Sequence, residues 1–216
     1  MIREHLLVAT AVAAEAEAIR AGLTGDAVTV AAVGVGPAAA AAGTARLIAL
    51  AEAAGRPYRA VLSAGIGGGF PGHAPVGATV LASRSVAADL GAESPDGFLS
   101  LDELGFGSSS IPADPEMLAV LRAGLPDAVT GAIITLSTVT GTADTARVLR
   151  ERHPDAVAEA MEGYGVAVAA TAAGLPFAEL RTISNPIGPR DRAAWRIGEA
   201  FAALTAAAAV LGKIPG

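Results

Sequence analysis

The chain has 216 residues, enough to bury a substantial core, and is 52% hydrophobic with 26 glycines and no cysteine. Such a composition excludes a disordered chain, a disulfide framework, thiolate metal sites and a cysteine nucleophile. A net charge of −6, with scattered arginines and Lys213 as the sole lysine, leaves no basic stripe for phosphates and so no expected nucleic-acid partner.

In chain order, residues 6–9 read as a strand, 13–23 as a helix, 28–35 as a strand, 38–54 as a helix, and 60–64 and 79–82 as strands. Residues 115–123 then read as a helix, 129–136 as a strand, 142–152 and 161–173 as helices, 177–184 as a strand and 194–211 as a helix. The assignments follow the length and spacing of the apolar runs. The alternation predicts one α/β domain over residues 1–216, with a twisted, mixed, largely parallel central sheet flanked by helices on both faces. Residues 91–113, rich in Gly, Ser, Asp and Pro but carrying Phe98 and Phe106, read as an unstructured lid or interface. The apolar runs near the N-terminus and at 206–211 are too short for a signal core or a membrane span, and the run at 38–54 carries Arg46 and Glu52. A cytoplasmic protein away from membranes is the expectation.

Ligands of such sheets sit beyond the carboxyl ends of the strands, so the residues there are the candidates. Glu15, with Glu17 close by, follows the first strand; the plain alternative is an exposed helical glutamate. Ser63-Ala64-Gly65-Ile66-Gly67-Gly68-Gly69 reads as a glycine loop that lets backbone approach a ligand, or as a merely flexible turn. Met161-Glu162 opens an apolar helix. A carboxylate there can accept from two vicinal hydroxyls while a thioether packs on a sugar face, although the helix dipole alone also favours a Glu in that turn. Ser184-Asn185 ends a strand at Pro186, as a ligand-facing pair or as an Asx turn. His5, His73 and His153 lack metal-site spacing, and His73 alone follows the glycine segment; no metal and no cofactor are expected.

Glu15, the Ser-Ala-Gly-Ile-Gly-Gly-Gly run, Ala160-Met161-Glu162 and Arg181-Thr182-Ile183-Ser184-Asn185, in this order and spacing, resemble the nucleoside phosphorylase and nucleosidase superfamily over essentially the whole chain. Within it the pattern is similar to the single-domain methylthioadenosine/S-adenosylhomocysteine nucleosidases, and more so to the futalosine hydrolases of the alternative menaquinone pathway. The resemblance implies a phosphorylase/hydrolase-like fold, a homodimer or larger homo-oligomer with Phe98 and Phe106 near a partner's site, and a small purine nucleoside as substrate. Glu15 would be the catalytic carboxylate that activates water, with Glu17 as fallback. Met161 and Glu162 would bind the ribose, with Gly65, Gly67 and Gly68 beneath it, and Asn185 stands where adenine-specific members carry Asp. Three positions depart from the methylthioadenosine enzymes: Ala160 replaces a Glu, Ile66 a Ser, and residues 138–142 lack their purine-stacking Phe.

Asn185 also bears on the base. A 6-oxopurine presents two acceptors, N7 and O6, which an amide's N–H groups can meet and an ionised Asp cannot. Hypoxanthine or guanine is therefore favoured over adenine, and Asn185 joins Glu15 as a catalytic candidate by steadying the departing base; futalosine carries hypoxanthine. Arg190 and Trp195 offer a guanidinium and an indole for a 5′ tail bearing a carboxylate and a ring, or simply decorate a helix start. The expected activity is hydrolysis of the N-glycosidic bond of futalosine. The alternatives are a methylthioadenosine/S-adenosylhomocysteine or aminofutalosine nucleosidase releasing adenine, a phosphorolytic enzyme, and a nucleoside-binding protein without catalysis. The junction at residues 9–14 offers phosphate no cation.

Overall fold

The computed structural model describes residues 5–214. Its central mixed sheet contains β1 (His5–Thr10), β2 (Val28–Ala32), β3 (Tyr58–Gly69), β4 (Thr79–Ala87), β7 (Ser110–Pro112), β8 (Val129–Thr135), β9 (Ala156–Ala160) and β10 (Phe177–Pro186). A separate hairpin pairs β5 (Gly91–Ser94) with β6 (Gly97–Ser100). Helices α1 (Ala13–Gly22), α2 (Pro37–Ala53), α3 (Pro115–Gly124), α4 (Ala143–Arg152), α5 (Gly163–Ala172) and α6 (Ile197–Ala208) cover both faces. This is the expected α/β architecture.

Local chemistry sets several helix starts. Asp114 accepts from the Glu116 and Met117 N–H groups ahead of Pro115, and Thr142 accepts from the Thr145 N–H, so α3 and α4 begin on capping side chains. Strands β1 and β3 are apolar on both sides because both sides are covered. Leu6, Val8, Ala60 and Leu62 pack with Ile19 of α1 and Leu204 of α6, whereas Leu7, Ala9 and Val61 pack with Ile48 of α2 and Val166 of α5.

The sheet runs β10-β4-β8-β9-β3-β1-β2, and a further β10–β3 pairing closes it on itself. β10 lies parallel to β3 along residues 61–69 and antiparallel to β4. On its other edge β3 pairs with β1 up to Ser63 and then with β9 at Gly68 and Gly69. The long strand therefore changes partner midway, which brings the ends of β1, β9 and β10 around its last residues.

Several expectations are corrected. The glycine segment is no loop: it is the second half of β3, and none of its glycines has positive φ. The glycines answer crowding, since a Cβ on Gly67 would lie 2.8 Å from the Glu159 carbonyl oxygen and one on Gly69 would overlap the Ala74 carbonyl. The fully buried β9 fell in a stretch given no element, because its Ala and Glu residues are poor strand formers. Residues 91–113 are ordered as a hairpin plus β7, with the Phe98 ring under the Arg152 guanidinium at 4.0 Å. The last helix starts at Ile197 after a 3-10 turn, Arg192–Ala194, so Trp195 lies in the bend between them. Among the described residues no helix is long and apolar enough to cross a membrane.

Helices α2 and α5 pack closely because Gly165 has no side chain, and a Cβ there would overlap the Pro37 carbonyl. Gly165→Ala is expected to cost about 1–3 kcal/mol, as overpacking does. A urea or thermal melt checks this, and an unchanged midpoint would refute the close approach.

Candidate functional site

The partner change of β3 opens a cavity of about 280 Å³ at the carboxyl ends of the strands, a volume suited to a small molecule. It brings together nine of the sequence candidates: Glu15, Gly67, Gly68, Met161, Glu162, Ser184, Asn185, Arg190 and Trp195. Val35, Ile66, Val139 and Ile187 supply apolar walls. Gly65 is the exception. It lies behind the wall, where a Cβ would overlap Glu15 Oε1 and come within 2.9 Å of Arg181 Nη1. Its lack of a side chain makes room for those two groups rather than for a ligand.

Glu15 is buried, and three backbone donors hold its carboxylate. Oε2 accepts from the Ala11 N–H at 2.9 Å and the Val12 N–H at 3.2 Å, and Oε1 accepts from the Ile66 N–H at 2.9 Å. Those first two donors lie just ahead of α1, on its N-cap Val12 and the residue before it, close to a helix start where a negative charge is favoured. Glu17 is exposed and lies off the cavity, so the geometry separates the two candidates.

Glu162 caps α5 while its side chain turns inward. Oε1 accepts from the Gly36 N–H at 3.2 Å, which the positive φ of Gly36 presents, and Oε2 accepts from Arg181 Nη1 at 3.3 Å. Arg181 is fully buried: Nε donates to Glu179 Oε1 at 2.9 Å, and Nη2 donates to Ser63 Oγ at 2.9 Å. Burial opposes its charge, but Glu179, Glu162 and Glu15 outweigh that and push its pKa upward. Glu179 is equally buried and accepts from Ser85 Oγ. Burial raises its pKa more than Arg181 and Ser85 lower it, with Glu162 adding repulsion. Three carboxylates around one guanidinium are relieved when Glu179 keeps a proton. Arg181 appeared in the motif but without a role, and Glu179 not at all. The available signal was two opposite charges two residues apart in an apolar strand, hence on one face.

At the far end Ser184 Oγ donates to Asn185 Oδ1 at 2.8 Å, and Asn185 Nδ2 donates to the Pro186 carbonyl at 3.0 Å. The amide is thereby oriented, with one N–H left for a ligand rather than the two the sequence reading assumed. Glu159, also missed, lines the cavity and accepts from the N–H and Oγ1 of Thr140. Burial raises its pKa against those two hydrogen bonds. Arg190 and Arg192 flank the Trp195 ring at 5.5 and 5.7 Å. His73 does not line the cavity. Its Nδ1 pairs with the Ala156 carbonyl and its Nε2 faces Arg150. Among the described residues no three His, Cys, Asp or Glu side chains cluster to hold a metal ion.

A family model described as the phosphorylase superfamily matches residues 3–214. The chain is 53% identical over 227 aligned positions to the futalosine hydrolase of Streptomyces coelicolor, covering 97% of this chain and 96% of that protein. It is 51% identical over 164 positions to the futalosine hydrolase of Acidothermus cellulolyticus, covering 70% and 66%. In fold it is similar to the crystal structure of a 5′-methylthioadenosine/S-adenosylhomocysteine nucleosidase from Colwellia psychrerythraea in complex with adenine. That likeness has a TM-score of 0.80 at 21% identity and covers 100% of this chain and 98% of that one.

The buried charge cluster carries a pH signature. As pH rises past 4.5, the ordinary Glu179 value, the unfolded chain loses that proton first while the folded protein keeps it. The folded state then binds more protons, so stability declines with rising pH until the folded pKa is passed. Glu179→Gln has no such proton to lose, and its stability relative to wild type should improve from pH 4.5 to pH 8 in urea melts. A pH-independent difference would mean that Glu179 titrates normally.

Proposed function

The chain belongs to the phosphorylase superfamily, and we propose that its reaction is the hydrolysis of futalosine at the N-glycosidic bond, releasing hypoxanthine. The observation that carries this reading is one cavity holding an anchored carboxylate, a ribose-suited Met–Glu pair and an oriented amide, in a chain 53% identical to a futalosine hydrolase. Asn185 in place of an acid, and Ala160 without a carboxylate, favour a 6-oxopurine over the adenine nucleosides. Phosphate as the attacking group is disfavoured because the junction at residues 9–14 offers it no cation. Glu15, Glu162 and the polar strand end together in one cavity argue against a binding protein without catalysis.

In this mechanism the ribose lies between Glu15 and Met161, with its vicinal hydroxyls on Glu162. Water attacks C1′ as the bond from C1′ to the purine nitrogen breaks, and Glu15 takes the proton that water sheds. The electron pair leaves with the base, whose N7 accepts the remaining N–H of Asn185, and solvent then protonates the hypoxanthine. The ring-bearing 5′ tail, with its carboxylate, runs toward Arg190 and Trp195. The reaction belongs to the futalosine route to menaquinone, and residues 1–216 act as one domain in the cytoplasm. The apolar side chains of the 90–106 segment, with Phe106 79% exposed, suit burial against a second copy in a homodimer or larger homo-oligomer.

Futalosine in phosphate-free buffer should yield hypoxanthine by chromatography, and Glu15→Gln should lower kcat by about 10² to 10⁴-fold, the usual contribution of a placed base. A variant keeping more than a tenth of the activity would remove Glu15 from the role. Arg190→Ala or Trp195→Ala should raise KM for futalosine about tenfold while leaving inosine, which lacks the tail, unaffected. Equal effects on both substrates would place the two residues away from the tail.

A further inference from the structure

Glu179 is a fully buried carboxylate that does not line the cavity, and the mechanism above has no use for it. It stands two residues before Arg181 on β10 and beside Ser63 in the β10–β3 register, so the three share one face of the sheet. Its Oε1 accepts from Arg181 Nε at 2.9 Å, and its Oε2 is bonded to Ser85 Oγ of β4. The carboxylate also lies against the first residue of α5, where a Cβ on Gly163 would overlap both oxygens. A guanidinium, a hydroxyl and a missing side chain, from three different elements, thus surround this one acid. Packing alone does not ask for it, since an apolar side chain of similar volume commonly serves as well in place of a buried ion.

We propose that Glu179 is a positioning residue for the reaction: with Ser85 behind it, it holds Arg181 Nε so that Nη1 is aimed at Glu162 and Glu15, the carboxylates that serve the sugar and the water. The proposal rests on the roles given above to Glu15 and Glu162. A guanidinium is a rigid plane, so fixing two of its nitrogens fixes the third. Nε is held by Glu179, and Nη2 by Ser63 Oγ at 2.9 Å. Nη1 is left to donate to Glu162 Oε2 at 3.3 Å and to lie under Gly65 beside Glu15 Oε1. Without Glu179 the plane keeps only the Ser63 anchor at that end and can turn about it. A proton on Glu179 does not undo the grip. The charged groups facing it are Arg181 from its own strand and Glu162 from the start of α5, while β4 faces it with the Ser85 hydroxyl; burial pushes its pKa upward against Arg181 and Ser85. In the protonated acid Oε1 still accepts from Arg181, and the hydroxyl at Oε2 donates to Ser85 Oγ. The charge of the guanidinium is then left to Glu162 and Glu15, the groups that meet the substrate.

The test is kcat on futalosine per active site, with sites counted by calorimetric titration with hypoxanthine so that misfolded protein drops out of the comparison. Glu179→Leu should lower kcat about tenfold or more, the worth of a hydrogen bond to a charged group, while affinity for hypoxanthine stays the same because the base does not reach Arg181. Glu179→Gln keeps an acceptor for Arg181 Nε and a donor for Ser85, and should restore most of that loss. A Leu variant with wild-type kcat per site would make Glu179 a packing residue and overturn the proposal, and so would a Gln variant as slow as the Leu one. Should the Leu variant not fold, Ser85→Ala removes only the hydroxyl behind Oε2 and should lower kcat per site about threefold or more. An unchanged kcat there would overturn the proposal equally. Wild type that releases no hypoxanthine from futalosine would instead sink the parent reading. The same variants compared on methylthioadenosine, with sites counted by adenine, would still decide the role of Glu179, because Glu15 and Glu162 face the sugar that these nucleosides share.

Discussion

A guanidinium sealed from water, that of Arg181, sits behind the wall of the cavity. Burying the charge of Arg181 costs several kcal/mol, and only close, well-directed partners offset it. Here Glu162, Glu179 and Ser63 each take a different face of the group, and Glu15 stands across Gly65. The consequence is geometric. Arg181 belongs to β10, Glu162 to the start of α5 and Ser63 to β3, so one side chain fixes the relative positions of three elements. The carboxylates of Glu15 and Glu162 are therefore set before a substrate arrives, the kind of preorganisation on which charge stabilisation in a transition state depends.

The glycines of β3 serve the same arrangement. Gly65 clears space for Glu15 and Arg181, Gly67 allows the β9 backbone to approach, and Gly68 makes room for the Ile187 side chain. Each omits a side chain at a place where a strand must pass close to something else. Absent atoms, rather than conformational freedom, are what these residues contribute.

Much of this was legible in the amino-acid sequence, for reasons that particular elements make plain. β1 and the first half of β3 declare themselves as apolar runs because both faces are covered, and α3 declares its start through Asp114 and Pro115. Glu15, Met161, Glu162 and Asn185 could be found because each follows or ends an element where a ligand would sit. β9 could not be seen, since Ala and Glu carry no strand preference and its pairing comes entirely from tertiary neighbours. The glycine segment misled because glycine signals turns locally, whereas here its reason lies across the sheet. Arg181 carried no role and Glu179 went unnoticed because a charged residue reads as surface until its partner, distant in sequence for Glu162 and Ser63, is known. The separation of Glu15 from Glu17 likewise needed burial, which two positions on one short helix do not reveal.

The place of β10 in the closed sheet bears on how the protein reaches its native state. The strand latest in the sequence, β10 inserts between β3 and β4, the later of which ends ninety residues before β10 begins. Until it arrives, residues 61–69 of β3 and 79–81 of β4 present edges with unpaired backbone groups, a template for pairing with other chains. Closure also requires contacts between residues far apart in the chain, whose loop entropy must be met before any bond rewards it. During synthesis the growing chain therefore holds an open, association-prone sheet until about residue 186 has been added, and the same late insertion delivers Asn185 to the cavity and Arg181 to the carboxylates behind its wall.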